Sequence, residues 1–476
     1  MTAGQGVSCL LLGALLTGCV AGPTYQKPEL AASLPAEWKT DDGPWRVSVP
    51  RDADPKGAWW KRYGDPQLDA LEEQALTGST TLAIAAARLT QARATVNAAS
   101  AGLLPQVSAG SRVGRSRISA NRPLTNYNAP NFSTIQNDYQ LSLTASYEVD
   151  LAGRIQRTIE GARATAEQSA ADLENVRMLL TADLASAYIN LRASDIELDV
   201  VMRSIALQRR ALDLVTSRHD LGAASGLEVT QQQALLDTTL VQVDVLRKQR
   251  SQFEHAIATL VGVPAPAFGI APAVQAMNAP AVPLGVPSDI LERRPDIASA
   301  ERAVAAANAQ IGVISAGYFP SVTLAPSYGY DSRQWSSLFD VPSLVWSVGL
   351  AASQTLFDGG RLRANVAAAT ANRDAAAANY RRVVLTAMQE TEDGITGLAA
   401  LESATTQAQT AVQTARRALD MATARYEGGA TTYLDVITAQ QSALTAERQA
   451  AQLSGQRLLT SVALVKALGG DWHDVN

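Results

Sequence analysis

The side chains with reactive potential are few and scattered. Three histidines, His219, His255 and His473, could in principle bind zinc or move protons. Their separation leaves no zinc-ligand spacing and little acid–base chemistry. The two cysteines, Cys9 and Cys19, both fall near the N-terminus. No nucleophile–base pairing or metal cluster stands out, so neither enzymatic activity nor a bound metal is expected. The balance of 40 Lys+Arg against 45 Asp+Glu gives a net charge of −5, and there are no basic runs, which argues against a nucleic-acid partner. Apolar residues make up 47% of the 476 residues but aromatics only 5%, with alanine supplying much of the difference. Such a chain is expected to pack thin elements closely, since large cores draw on aromatic and branched side chains.

The N-terminus bears on the compartment. Val7 to Leu16 form a short apolar run, well below the ~20 residues of a transmembrane helix, and read as the h-region of a secretory signal. Leu16-Thr17-Gly18-Cys19 resembles the bacterial lipoprotein box, in which cleavage precedes the Cys and its thiol carries a diacylglycerol. Residues 1–18 are therefore expected to be a signal peptide and Cys19 the lipid anchor. Val20, in place of Asp, favours the outer membrane by the same resemblance. The usual positive n-region is missing, as residues 1–9 hold no Lys or Arg. With Cys9 removed and Cys19 acylated, no intrachain disulfide is possible.

Internal repetition organises the rest. Ser100-Ala101-Gly102-Leu103-Leu104-Pro105 matches Ser315-Ala316-Gly317-Tyr318-Phe319-Pro320 at an offset of 215. The pairs Gly153/Gly360, Gly222/Gly429, Leu227/Leu434 and Gly262/Gly469 share an offset of 207. The first copy should thus carry the longer loop between Pro105 and Gly153. The expected division is an N-terminal extended segment over 19–62, repeats over 63–263 and 285–470, a Pro-rich linker over 264–284, and a tail over 471–476.

Each repeat reads as helix, strand, strand, very long helix, turn and returning helix. From Gly153 to Gly222, and again from Gly360 to Gly429, 69 residues pass without proline. A continuous helix of that length is about 100 Å long. Leu184, Leu191, Leu198, Ile205 and Leu212 recur every seven residues, with Ala187, Val201 and Val215 between them, as in a coiled-coil seam. Leu398, Thr405, Val412 and Leu419 repeat it less cleanly. Returning helices are expected at about 226–261 and 433–468.

Gln140 to Val149 alternates apolar Leu141, Leu143, Ala145, Tyr147 and Val149 with polar residues, as do Trp346, Val348, Leu350 and Ala352. Weaker partners are Val107, Ala109 and Val113, and Val322, Leu324, Tyr328 and Tyr330, with water-facing loops at about 117–137 and 331–344. Ten-residue amphipathic strands fit an outer-membrane barrel. Half-exposed strands of a soluble sheet alternate in the same way; the lipoprotein signal and the paired placement favour the barrel. Four strands cannot close one, and open edges in lipid leave backbone groups unpaired, so several copies must share it.

Several motifs resemble those of TolC-type outer-membrane efflux proteins, in particular the lipoprotein branch serving resistance-nodulation-division (RND) pumps. They are Gly22-Pro23-Thr24-Tyr25, Trp59-Trp60 with Asp65-Pro66-Gln67-Leu68, Leu291-Glu292-Arg293-Arg294-Pro295-Asp296-Ile297, and the corners Asp150-Leu151-Ala152-Gly153-Arg154 and Phe357-Asp358-Gly359-Gly360-Arg361. The resemblance covers essentially the whole chain. It implies an α+β membrane protein: a duplicated strand-hairpin/long-helix unit forming, as a homotrimer, a 12-stranded β-barrel continuous with a long periplasmic α-helical barrel. It also implies docking to a periplasmic adaptor and an inner-membrane RND pump. The implied role is passive export of drugs or other small toxic compounds, metal ions included, with no cofactor beyond the lipid on Cys19. The alternatives are the outer channel of a type I protein-secretion system or a periplasmic coiled-coil scaffold without a pore.

In that family acidic residues just after the second turn, with a Tyr before it, constrict the periplasmic tip. The segment Tyr426 to Asp435 fits, so the resemblance assigns Tyr426 and Asp435 to a gate, with Glu228 at the equivalent site of the first copy. Thr438 stands where many relatives carry a second acid, and Thr431 where some carry a basic latch. The adaptor contact is expected at the turns, around Gly222 and Ala223 and around Gly429 and Ala430. Trp59, Trp60 and the Arg293-Arg294 pair are read as structural.

Overall fold

A computed structural model describes residues 20–27, 57–123, 132–275, 277–280 and 293–470. Cys19, the signal region, Leu291-Glu292 and the tail from 471 lie outside the described residues. The elements are helices α1 (Pro66–Gly78) and α2 (Thr80–Ser100), strands β1 (Gln106–Ile118) and β2 (Thr134–Val149), and helices α3 (Arg154–Asp220) and α4 (Gly226–Leu260). Then follow α5 (Pro295–Ser315), β3 (Ser321–Ser332), β4 (Leu344–Ser353), α6 (Arg361–Glu427) and α7 (Tyr433–Ala467). The duplication is visible in the lengths: α3 and α6 each run for 67 residues, α4 and α7 for 35. Among the described residues no helix is long and apolar enough to cross a membrane.

The chain divides into two compact units, each drawing on both repeats. One unit comprises Met1–Pro28, Thr90–Gln168 and Glu301–Asn379, and holds the strands. These form an antiparallel sheet in the order β1-β2-β3-β4. The pairing puts Val107 opposite Ala145, Leu143 opposite Tyr328, and Tyr328 opposite Trp346, so the apolar positions of all four strands share one face. That face is open, with Val107, Val113, Leu143, Trp346, Val348 and Leu350 all exposed. The other face carries Ser108, Gly110, Ser142, Thr144, Ser327, Ser347 and Gly349.

The first hairpin is longer than the alternation implied. Pairing continues to Ile118 opposite Thr134, which shortens the connection expected at 117–137. The backbone ladder carries the strands onward even where Asn137 interrupts the apolar face. In β3, Pro326 has no N–H to donate, and the β2–β3 ladder skips between Thr144–Ser327 and Tyr147–Leu324.

The strand-to-helix corners are capped by carboxylates. Asp150 accepts from the Gln156 amide at 2.9 Å, and Asp358 from the Gly360 and Leu362 amides at 2.9 and 2.8 Å. This satisfies amides that a helix start leaves without partners. Residues 20–27 are strapped to the same unit. The Ala21 amide donates to the Ala152 carbonyl at 2.8 Å, Arg157 to the Ala21 carbonyl at 3.1 Å, and Asn308 to the Pro23 carbonyl at 2.9 Å. Tyr25 donates to Glu301. Gly22 has φ 84, and a Cβ there would lie 2.4 Å from Gly312 Cα, so the strap needs glycine at this point.

The other unit comprises Glu29–Leu89, Ser169–Ala300 and Tyr380–Asn476. Here the heptad seam of α3 is buried within one chain. Leu184, Leu191, Val201, Ile205 and Val215 are all at most 2% exposed, and they pack on Leu235, Leu236, Val243 and Leu246 of α4 and on residues of α7. The helix read at the start of the first repeat is two helices, because Ser79 at φ −66, ψ 122 leaves the helical region between α1 and α2. Trp59, Trp60 and Tyr63 are buried with edge-on ring contacts, as a packing role requires.

Buried polar networks fix the helices of this unit. Asp65 caps α1 through the Gln67 and Leu68 amides and accepts the Tyr188 hydroxyl at 2.7 Å. Arg192 and Arg250 share Asp195 and also donate to the carbonyls of Ala271 and Ile270, clamping the chain after α4 onto α3 and α4. Arg294, 4% exposed, pairs with Asp296 and Glu390 at 2.7 Å each and donates to the Ala467 carbonyl.

Candidate gate at the helical turns

Two tight turns join the long helices to the returning ones, and both lie in the second unit. They are built alike. At the end of α3, the Gly222 amide bonds the His219 carbonyl at 2.8 Å and the Ala223 amide the Arg218 carbonyl at 2.7 Å. At the end of α6, the Gly429 amide bonds Tyr426 at 3.0 Å and the Ala430 amide bonds Arg425 at 2.8 Å. Both glycines have φ 73, the left-handed conformation that ends a helix at little cost only for glycine. A Cβ on either would meet nothing within 4 Å, and Gly222, Ala223, Gly429 and Ala430 are all exposed.

The next helices start with acidic residues in matching positions. Ser225 caps α4, its hydroxyl accepting the Glu228 amide at 3.4 Å, an arrangement that places Glu228 in the first turn. In α7 the equivalent residue is Asp435, which accepts hydrogen bonds from the hydroxyls of Thr431 and Thr432. Those two donors hold the exposed Asp435 carboxyl below its ordinary range. Thr431 thus grips Asp435 on its own turn. Thr438 is turned to its helix, donating to the Leu434 carbonyl at 2.8 Å.

Tyr426 bridges the two repeats. Its hydroxyl donates to Glu228 Oε2 at 2.8 Å. Its ring meets that of Tyr433 at a 60° tilt, centroids 4.9 Å apart, and lies under the Arg218 guanidinium at 4.8 Å. Burial, and then the bond to Glu228, raise the Tyr426 hydroxyl above its ordinary pKa, so it stays a neutral donor. Tyr433 is buried, which likewise raises its pKa, and it donates to Gln232 Oε1 at 2.9 Å. Gln232 in turn donates to the Gln208 carbonyl at 3.0 Å. Val215, Leu235, Val436 and Ile437 enclose the cluster.

Among the residues assigned from sequence, the structure therefore joins Tyr426 to Glu228 and Thr431 to Asp435, and separates the two pairs. Arg218, Gln232 and Tyr433 were not singled out. Tyr433 alone offered a signal, as an aromatic residue where the first repeat has Gly226. Chemically the site is a set of carboxylates on helix starts, held by hydroxyl donors. Such carboxylates attract cations and repel anions.

A profile described as outer membrane efflux protein matches residues 71–263 and 286–470. The chain belongs to the outer membrane efflux protein family. Similar members of this efflux family include the pyoverdine export outer membrane protein OpmQ of Pseudomonas aeruginosa, 32% identical over 98% of this chain and 96% of that one. The toluene efflux pump outer membrane protein TtgF of Pseudomonas putida is 31% identical over 98% and 97%. In structure, the chain is similar to the outer-membrane channel OprN, with a TM-score of 0.85 and 30% identity over 95% of this chain and all of that one. It is also similar to the Neisseria gonorrhoeae outer-membrane channel MtrE in its open state, with a TM-score of 0.80 and 26% identity over 95% and 98%. This efflux protein is accordingly an outer-membrane channel component of an efflux system.

Proposed function

We propose that three copies of this efflux protein form a 12-stranded barrel above a helical tunnel, anchored by a lipid on Cys19, and that the tunnel is a passive exit duct. The observation that carries this reading is the sheet: four strands with one exposed apolar face, one small polar face and two unpaired edges, β1 and β4. An apolar face suits lipid, a polar one suits water, and the edges require partners. Joining β1 of one copy to β4 of the next closes the ring without leaving an edge. The strap places Val20 at the Gly153 corner, so a lipid on the preceding residue would enter the membrane beside the strand ends.

In this reading the turns close the tunnel. Tyr426 holds Glu228 while Asp435 sets a ring of negative charge, and the exposed Gly222-Ala223 and Gly429-Ala430 turns receive a periplasmic adaptor coupled to an inner-membrane RND pump. The cargo is a small molecule selected by the pump, in keeping with relatives named for pyoverdine and toluene. The duct itself carries out no chemistry. Crosslinking the purified protein with a short bifunctional reagent should give a ladder that stops at three chains; one that stops at two, or runs on beyond three, refutes the closed trimer. Cysteines at Ala223 or Ala430 should crosslink to the adaptor in cells, and no adduct at either would exclude docking at the turns.

A further inference from the structure

The outward face of the sheet has an unusual charge distribution. Its residues are Val107, Ala109, Ser111 and Val113 on β1, the odd positions from Ile135 to Val149 on β2, and the even positions of β3 and β4. No carboxylate stands on it; Asp138, Glu148 and Asp331 all project from the opposite face, where Asp138 lies 4.0 Å from Arg112. The charges on the outward face are Arg115 and Arg117, both exposed. Arg117 Nε donates to Ser133 Oγ at 3.0 Å, which leaves its two terminal nitrogens available. Arg115 has no hydrogen-bond or ion-pair partner among the described residues, and the residue across from it is Asn137.

Their depth follows from the register. The apolar stretch of β2 runs from Val149 to Tyr139, ten steps of ~3.3 Å, which a tilt of about 45° reduces to roughly 23 Å, close to the ~25 Å band of an outer-membrane barrel. At the upper end of that band sit aromatic pairs, Tyr139 with Trp335 at 5.8 Å and Tyr330 with Phe339 at 5.5 Å. Such rings mark the membrane interface. Arg115 and Arg117 come immediately beyond, about 7 Å apart on one strand face. The helices leave from the opposite ends of the strands, so this hairpin end belongs to the outer leaflet.

We propose that Arg115 and Arg117 form a binding site for the phosphate groups of a phosphorylated glycolipid in the outer leaflet. A guanidinium donates two parallel hydrogen bonds to phosphate oxygens, and two guanidiniums at this spacing can grip one phosphorylated headgroup while its acyl chains lie on Val113, Leu141 and Tyr330. An outward-facing surface without carboxylates favours the anion further. The site rests on the reading that the sheet spans the membrane.

The test uses the full-length protein in detergent doped with diphosphoryl lipid A, with retained lipid counted by native mass spectrometry. The R115Q/R117Q variant should retain at least fivefold less than the wild type, and each single variant an intermediate amount. R112Q, on the opposite face, should match the wild type, and a dephosphorylated lipid should not distinguish R115Q/R117Q from it. Equal retention of diphosphoryl lipid A by wild type and R115Q/R117Q overturns the site. Quenching by bromine-labelled acyl chains, taken as the part lost in W346F, tests the spanning reading separately. Absent Trp346 quenching sinks that reading, whereas quenching with equal lipid retention sinks the site alone.

Discussion

The Tyr426 hydroxyl donates to Glu228 Oε2 at 2.8 Å, tying the end of α6 to the start of α4 across the two repeats. A tunnel that opens by parting its helices at the turns must break this bond. Glu228 is half-buried and Tyr426 buried, so the bond is only partly exchanged for water.

Tyr426→Phe should therefore favour the open tunnel. A hydrogen bond to a charged acceptor contributes ~1.5 kcal/mol or more, about tenfold in the open-to-closed ratio for each copy. Open probability in planar bilayers measures this, and an unchanged value would remove Tyr426 from the gate.

Asp435→Ala should raise conductance and reduce cation selectivity. The Thr431 and Thr432 hydroxyls lower the Asp435 pKa, so the carboxylate stays charged as pH falls through ~3.9, the usual value for Asp. Wild-type selectivity should accordingly persist to lower pH than that of Thr431→Val. Reversal potentials across a KCl gradient, recorded against pH, give both results.

Glu72 carries a different pH dependence. It is fully buried, neither carboxyl oxygen has a hydrogen-bond partner among the described residues, and burial followed by the Asp69 charge pushes its pKa to about 9. With the folded value above the unfolded one, its contribution is fully present below about pH 4.5 and is lost as pH rises towards 9. Glu72→Gln should consequently be more thermostable than wild type at pH 8 and indistinguishable at pH 4. Melting temperatures of both proteins at the two pH values check the sign.

Arg294→Met should lower stability by roughly 3 kcal/mol. Breaking a buried ion pair costs about 3–5 kcal/mol, and partial solvation of Asp296 and Glu390 moves the loss to the low end. Denaturant midpoints of detergent-solubilised protein measure it.

Much of the architecture was written in local pattern. The Gly153–Gly222 and Gly360–Gly429 intervals gave the long helices to within a residue or two, because glycine after a helix end marks a backbone conformation few other residues take. Alternation over Gln140–Val149 gave the faces of β2, but not its start at Thr134, since polar Asn137 on the apolar face breaks the pattern while backbone bonds sustain the ladder. The gate was legible in part. Tyr426, Glu228, Thr431 and Asp435 were named through the family resemblance, as the residues proposed for the gate, and the pairing of Tyr426 with Glu228 rather than Asp435 joins residues far apart in sequence. Arg192, Asp195 and Arg250 gave no signal for the same reason: three charges on two helices meet only once the helices pack.

In this reading the assembled chain is a water-filled duct through the outer membrane. Single-channel recording of the purified, folded protein in a planar bilayer tests it most directly. Discrete, cation-selective conductance steps that grow in Asp435→Ala are expected; a folded trimer that inserts and passes no current, in wild type and variant alike, would exclude a duct.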